Sequence, residues 1–364
     1  MRLALTAGGT GGHILPALAV LDAVRKREGD GLDVAFFGPE NRGERATIES
    51  RGIRFFSVPS AQVRGRSPLQ LVRSAWQLTR GIASAVRALR RYKPDVIFST
   101  GGYGSFPASV AARILRKPLV VYLPDVSPGW AVRVEKRLAT DLATTSSAAL
   151  AHLPAKKTRV TGYPLRAAFF EQTREQARTK LGLGADDHMV VVAGATQGAH
   201  AINEAVFGSI RTLSEELTVY HITGAADFDD AAGYKGALGA DLEGRYQIAP
   251  FREDLPALML AADLAIMRAG ASVLGELPAA ALPAILVPGT FAGGHQRDNA
   301  RWLEAAGAAE VVEESELGRN LGEHVLRLLA DHDRIAAMRA AAASLARPNA
   351  ADDIAALLQE VAKR

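Results

Sequence analysis

Short apolar runs rich in Val, Ile, Leu and Phe alternate along the chain with longer stretches in which apolar residues recur every three or four positions. The first pattern suits strands buried on both faces and the second suits amphipathic helices, so the alternation predicts parallel sheets covered by helices. In the first half, strands are expected at residues 3–6, 33–38, 95–100, 118–123 and 159–161. The pattern then restarts, with strands expected at 188–194, 218–223, 264–267, 284–287 and 309–312. The fold class is therefore α/β, with two doubly wound, Rossmann-like domains facing across a cleft, because ligands of such sheets bind beyond the carboxyl ends of the strands. Gly162-Tyr163-Pro164 punctuates the middle of the chain. It separates an expected N-terminal domain, 1–163, from an expected C-terminal domain, 164–345. Residues 346–364 read as a closing helix packing back towards the first domain, with Asn349 as a possible cap.

One helical stretch stands apart. From Pro68 to Lys93, a helical wheel gathers Leu71, Ala75, Leu78, Ile82, Val86 and Leu89 on one broad face. Arg73, Arg80 and Arg87 recur every seven residues beside it, with Trp76 at its border. Either this is an ordinary helix on a sheet with solvated arginines, or it lies near an anionic membrane surface, where Arg and interfacial Trp are favoured. Nucleic acid is not expected as a partner, since interleaved aromatics and known nucleic-acid motifs are missing from the segment.

Composition narrows the chemistry. The 364 residues suffice for two domains and include no cysteine, which excludes disulfides, thiolate metal sites and a cysteine nucleophile. No apolar run reaches the roughly 18 residues of a membrane span. Residues 1–6 lead into a glycine loop rather than a signal-peptide core, so neither export nor a membrane span is expected. The net charge of +4 conceals a division: residues 1–163 hold 25 basic and 11 acidic groups, and residues 164–364 hold 18 and 28. A face so basic attracts anions.

Glycine-rich loops follow four of the expected strands. The first is Gly8-Gly9-Thr10-Gly11-Gly12-His13; its glycines allow a close backbone approach to a ligand, and the helix after it favours negative charge. It is not a dinucleotide fingerprint, because Ile14 stands where the last glycine would fall, and no P-loop motif occurs. His13, on the rim, is a candidate general base. The second loop is Thr100-Gly101-Gly102-Tyr103-Gly104-Ser105, and the third is Gly194-Ala195-Thr196-Gln197-Gly198-Ala199-His200. The fourth is Arg268-Ala269-Gly270-Ala271-Ser272, leading into a helix that carries Glu276.

This ordered set resembles the MurG family of peptidoglycan N-acetylglucosaminyltransferases, inverting enzymes of the glycosyltransferase-B fold. The resemblance also rests on Thr161-Gly162-Tyr163-Pro164-Leu165-Arg166, on Pro107 and Asn203, and on His295-Gln296 with Asn299-Ala300. It implies transfer of N-acetylglucosamine from UDP-N-acetylglucosamine to the C4 hydroxyl of a muramoyl-pentapeptide on undecaprenyl diphosphate, by a peripheral protein at the cytoplasmic membrane face. It further implies that Glu276 binds the ribose diol, that Phe251-Arg252 borders the uracil, and that Arg166 with the helix beginning near Gly270 meets the diphosphate. Gln296, His295 and Asn299 would hold sugar hydroxyls, and Thr196 and Gln197 would line the donor site. Gly8, Gly9, Thr10, Gly11, Gly12, Gly101, Gly102 and Tyr103 would form the acceptor and diphosphate loops, with no cofactor.

The match is imperfect where the family carries a His-Glu-Gln-Asn run. Here the run is Tyr122-Leu123-Pro124-Asp125, and Tyr163 replaces the asparagine usual before the linker proline. Asp125 takes an acceptor-side role, serves as the base with His13 in support, or only caps a helix starting near Ser127. Three alternatives stay open: another lipid acceptor such as diacylglycerol, a UDP-sugar 2-epimerase, and a non-catalytic UDP-sugar binder. Asp227-Phe228-Asp229 matches a D-x-D metal pattern, but Arg166 and the helix ends offer a metal-free way to meet the same charge, and no metal is expected.

Overall fold

The computed structural model describes residues 1–8, 11–40, 43–61, 68–184, 186–194, 199–289, 294–318 and 320–364. Gly9, Thr10, Thr196 and Gln197 lie outside them. The chain divides into two compact units, one formed by Met1–Leu165 with Asn349–Arg364 and the other by Arg166–Pro348.

The first unit runs β1 (Arg2–Thr6), α1 (Gly11–Glu28), β2 (Asp33–Gly38), α2 (Glu44–Glu49), β3 (Arg54–Ser57), α3 (Pro68–Tyr92), β4 (Val96–Ser99), α4 (Phe106–Ile114), β5 (Leu119–Leu123), α5 (Trp130–Leu138), β6 (Asp141–Thr144) and β7 (Thr158–Val160). Its seven strands are parallel, in the order β3-β2-β1-β4-β5-β6-β7. Leu3, Ala4 and Leu5 in the central strand are fully buried, as expected where helices cover both faces.

The second unit runs α6 (Arg174–Lys180), β8 (Met189–Ala193), α7 (His200–Glu216), β9 (Thr218–Ile222), α8 (Phe228–Gly236), β10 (Tyr246–Ala249), α9 (Leu255–Ala261), β11 (Leu264–Met267), α10 (Val273–Ala279), β12 (Ala284–Leu286), α11 (His295–Ala305), β13 (Ala309–Val311), α12 (Leu321–Ala330) and α13 (His332–Ser344). Its six strands, also parallel, are ordered β10-β9-β8-β11-β12-β13. The last helix, α14 (Ala350–Ala362), belongs to the first unit and packs on α1. Ile354, Leu357, Leu358 and Val361 are fully buried there. Asn349 precedes this helix but makes no side-chain capping bond.

Three strands, β3, β6 and β10, were not expected. Each has four residues, and β3 and β10 are sheet edges. The segment Asp-Leu-Ala-Thr of β6 lacks the apolar run that marks a buried strand, and its place between β5 and β7 comes from tertiary pairing.

The helix α3 also differs from its wheel. Among its described side chains, those from residue 73 onward, Ser74, Gly81, Ala85, Leu89 and Tyr92 are buried, whereas Leu78, Ile82 and Val86 are half-buried and Ala75 is exposed. The cause is Gly81: a Cβ there would lie 2.0 Å from the Pro59 carbonyl oxygen. Small side chains let the helix sit against that backbone at Gly81, and Leu78, Ile82 and Val86 fall to the flank.

Candidate functional site

In each unit some of the candidate residues follow the strands at which the strand order reverses, the position at which open parallel sheets bind ligands. In the first unit that point lies between β1 and β4. The loops after these strands touch through glycine backbone. The Gly8 amide donates to the Gly101 carbonyl at 2.8 Å, and a Cβ on Gly8 would come within 3.0 Å of both the Gly102 Cα and the His13 ring. Gly101 and Gly102 have φ of 79° and 86°, a left-handed backbone that glycine adopts without strain.

His13 is the third residue of α1, and its half-buried ring is held by Thr100. Nδ1 lies 2.9 Å from the Thr100 carbonyl oxygen, and the Thr100 hydroxyl donates back to the His13 carbonyl at 2.7 Å. A carbonyl only accepts, so Nδ1 carries the proton and Nε2 of the neutral ring bears the lone pair. The imidazole is thereby set in the tautomer a general base requires. Gly12 is exposed beside it, and Tyr103 is half-buried in the β4–α4 turn.

Asp125 lies half-buried in the loop after β5, the strand next to β4. Burial, with a smaller contribution from the Asp125 charge, raises the Tyr122 hydroxyl well above its ordinary pKa. The α5 helix starts at Trp130, preceded by Gly129, so Asp125 does not cap it. The departures at 122 and 163 sit together: the Tyr122 and Tyr163 rings meet edge to face at 6.4 Å. The Tyr122 hydroxyl bonds Thr145 Oγ1 at 2.7 Å and donates to the Gly162 carbonyl at 3.2 Å. One aromatic replacement thus supports the other.

In the second unit the order reverses between β8 and β11. Gly270, Ala271 and Ser272 form a half-buried turn after β11, and α10 begins at Val273, three residues later than expected, with only seven residues. Glu276 is half-buried on this helix. Burial raises its pKa, while a hydrogen bond with Ser272 and the nearby charge of Arg166 pull it down. The two residues expected at ribose and diphosphate are therefore within electrostatic reach of each other.

The neighbouring loops are braced by side chains from α11. Gln296 accepts from the Gly289 amide at 2.8 Å through Oε1, which leaves its amide nitrogen as a donor. Asn299 is fully buried and donates to the Ala269 carbonyl at 3.1 Å, which braces the β11 loop. His295 is half-buried. Arg268, buried beneath the same loop, pairs with Glu314 at 2.6 Å. After β10, Phe251 is 64% exposed, an open aromatic face, and Arg252 forms a two-pronged ion pair with Asp254.

The third loop leads into a polar network. Asn203 is fully buried and donates to Asp227 at 2.6 Å and to the Thr223 carbonyl at 2.8 Å, while its own oxygen accepts from His221 at 2.9 Å. Burial lowers the His221 pKa to about 3, so the ring stays neutral between Asn203 and Tyr246. His200 reaches the other Asp227 oxygen at 3.0 Å. Asp227 thus ties α7 to the loop after β9. On α3, Arg73, Trp76, Arg80 and Arg87 are all exposed, and the Arg80 guanidinium lies 4.6 Å from the Trp76 ring centroid. Sequence reasoning missed Thr100 as the partner that orients His13; its place between β4 and two glycines was the available signal.

Comparison with known proteins gives the class first. Residues 3–144 match the glycosyltransferase family 28 N-terminal domain and residues 189–354 the corresponding C-terminal domain. The solved structure of Acinetobacter baumannii MurG superposes with a TM-score of 0.78 at 25% identity, over 99% of each chain. A Neisseria meningitidis UDP-GlcNAc 2-epimerase superposes at 0.68 with 15% identity, covering 99% of this chain and 100% of its own, a likeness of fold alone. A Desulforudis audaxviator protein is 35% identical across 100% of this chain and 99% of its own. The chain belongs to that protein's family, the UDP-N-acetylglucosamine--N-acetylmuramyl-(pentapeptide) pyrophosphoryl-undecaprenol N-acetylglucosamine transferases.

Proposed function

We propose that this protein transfers N-acetylglucosamine from UDP-N-acetylglucosamine to the C4 hydroxyl of undecaprenyl-diphospho-muramoyl-pentapeptide, with inversion at the anomeric carbon, in peptidoglycan synthesis. The reading is supported by family membership over the whole chain, and the observation that carries its mechanism is the Nδ1–H tautomer of His13. Nε2 takes the proton of the C4 hydroxyl as that oxygen bonds to the sugar C1. The C1–O bond to UDP breaks, and its electron pair leaves with the diphosphate. Arg166 meets the charge that grows on this leaving group, and Glu276 accepts from the ribose hydroxyls. Gln296 supplies an amide donor for the sugar and Phe251 an apolar face for the base.

Because Arg166 supplies the positive charge and Asp227 is engaged elsewhere, the reaction is metal-independent in this reading. Turnover persists in excess chelator; a loss that magnesium or manganese restores overturns it. The protein acts at the cytoplasmic membrane face through α3; no helix among the described residues is long and apolar enough to cross a membrane. Purified protein given UDP-N-acetylglucosamine releases UDP and forms a β-linked disaccharide lipid only when the muramoyl-pentapeptide lipid is supplied. Glycosylation of diacylglycerol alone, or UDP-N-acetylmannosamine made without an acceptor, rejects the reading.

A further inference from the structure

The first unit holds a fully buried carboxyl that the reaction just described does not use. Glu135, on α5, receives three serine hydroxyls: Ser105 and Ser109 donate to Oε1 at 2.8 and 2.9 Å, and Ser99 donates to Oε2 at 3.2 Å. Ser99 ends β4, Ser105 precedes α4 and Ser109 lies within it. An ionised carboxylate offers about four acceptor sites and no donor, so three converging O–H groups suit it. Burial nevertheless raises its pKa to about 7. A buried charge adds little net stability, and the effect of this one lies in the geometry it imposes.

The serines lead from Glu135 to the glycine turn. Ser99 Oγ accepts from the Gly101 amide at 3.1 Å. Ser105 Oγ is 2.8 Å from Glu135 and 2.8 Å from the Gly102 carbonyl, so its single proton is contested between them. Gly101 and Gly102 are the residues on which Gly8 closes, and Thr100, between Ser99 and Gly101, holds the His13 ring.

We infer that Glu135 is a positioning residue for the transfer, setting the 99–105 backbone through Ser99 and Ser105 so that the Thr100 carbonyl holds His13 as its Nδ1–H tautomer. The inference rests on the reading of His13 as the base. Without the carboxylate charge, the Ser105 proton passes to the Gly102 carbonyl and Ser99 loses its acceptor, so the Thr100 carbonyl is no longer held in place.

Glu135→Gln keeps the shape and removes the charge. It is expected to lower kcat roughly 10- to 100-fold, the scale of a small misplacement of a reacting group, with the KM for UDP-N-acetylglucosamine changed less than two-fold. Long-range 15N–1H spectra of the imidazole nitrogens, with the His13 signals identified by their loss in His13→Gln, are expected to show the Nδ1–H form giving way to a mixture. An unchanged tautomer overturns the inference whether or not kcat falls, and so does an unchanged kcat with His13 serving as the base. Should Glu135→Gln fail to fold, Ser105→Ala is read in the same way. If His13→Ala turns over at the full rate, the base reading fails, and the tautomer still reports whether Glu135 positions the ring.

Discussion

At the scale of residues, the proposed chemistry turns on two short-range relations. In that reading His13 serves as the base because Thr100 leaves its Nε2 as the lone-pair nitrogen. His13→Ala is expected to lower kcat by roughly 100- to 10,000-fold, the range of general-base catalysis, with little change in donor affinity. Equal losses in kcat and donor affinity contradict the role. Glu276 and Arg166 form the second relation. Burial raises the Glu276 pKa, so donor affinity is expected to decline, as pH falls, before the ordinary carboxylate value of 4.5 is reached. Arg166 favours the charged form, so Arg166→Ala raises that pKa further and moves the acid limb of donor binding to higher pH. Titration calorimetry with UDP from pH 5 to 8 measures this directly; a limb that weakens without moving separates the two residues. The candidates His13 and Glu276 were legible because each follows a strand and a glycine loop. Glu135 was not, since in Trp130-Ala131-Val132-Arg133-Val134-Glu135-Lys136-Arg137 it reads as one more charge on a solvated helix face.

At the scale of elements, the long buried strands were legible, as were the three-residue edge strands β7 and β13, whereas the four-residue strands β3, β6 and β10 were not. β8 carries Met189-Val190-Val191-Val192-Ala193, apolar throughout because helices cover both faces of a parallel sheet. β3 and β10 hold four residues each at sheet edges, where pairing with a neighbour outweighs local pattern. The wheel of α3 ranked faces by hydrophobicity, whereas closeness to Pro59 selected the face that bears Gly81. The final helix shows the value of a strong apolar stripe. Arg27 and Asp352 pair at its edge at 3.5 Å, with both side chains substantially exposed, so the buried stripe supplies most of the attachment. Leu358→Ala is expected to destabilise the first unit by about 2–5 kcal/mol, the usual range for emptying a buried leucine site. Urea unfolding followed by a probe in the first unit tests this, and a change below about 1 kcal/mol means that the helix is only loosely attached.

At the scale of the whole molecule, charge is segregated by unit. The first unit carries 27 basic and 14 acidic residues, net +13, and the second carries 16 and 25, net −9. Self-association by opposite charge and attraction to an anionic surface are both consistent with such a split, and α3 distinguishes them. Its exposed arginines stand beside a Trp76 that is 61% exposed, a combination suited to lipid headgroups because one component is electrostatic and the other interfacial. Replacing Arg73, Arg80 and Arg87 together by serine is expected to weaken binding to anionic vesicles by about 3 kcal/mol, on the order of 100-fold, at about 1 kcal/mol for each charge. Raising the salt well above physiological strength should weaken wild-type binding in the same direction, since exposed charges are screened over about 8 Å or less. Trp76→Ala should instead lower affinity by a similar factor at low and high salt, because its contribution is not ionic. Cosedimentation with vesicles containing anionic lipid, set against vesicles of neutral lipid alone, reads all three. If wild-type binding is the same on both vesicle types and indifferent to salt, the arginine stripe has no role at the membrane and the charge segregation must be explained by the substrates alone.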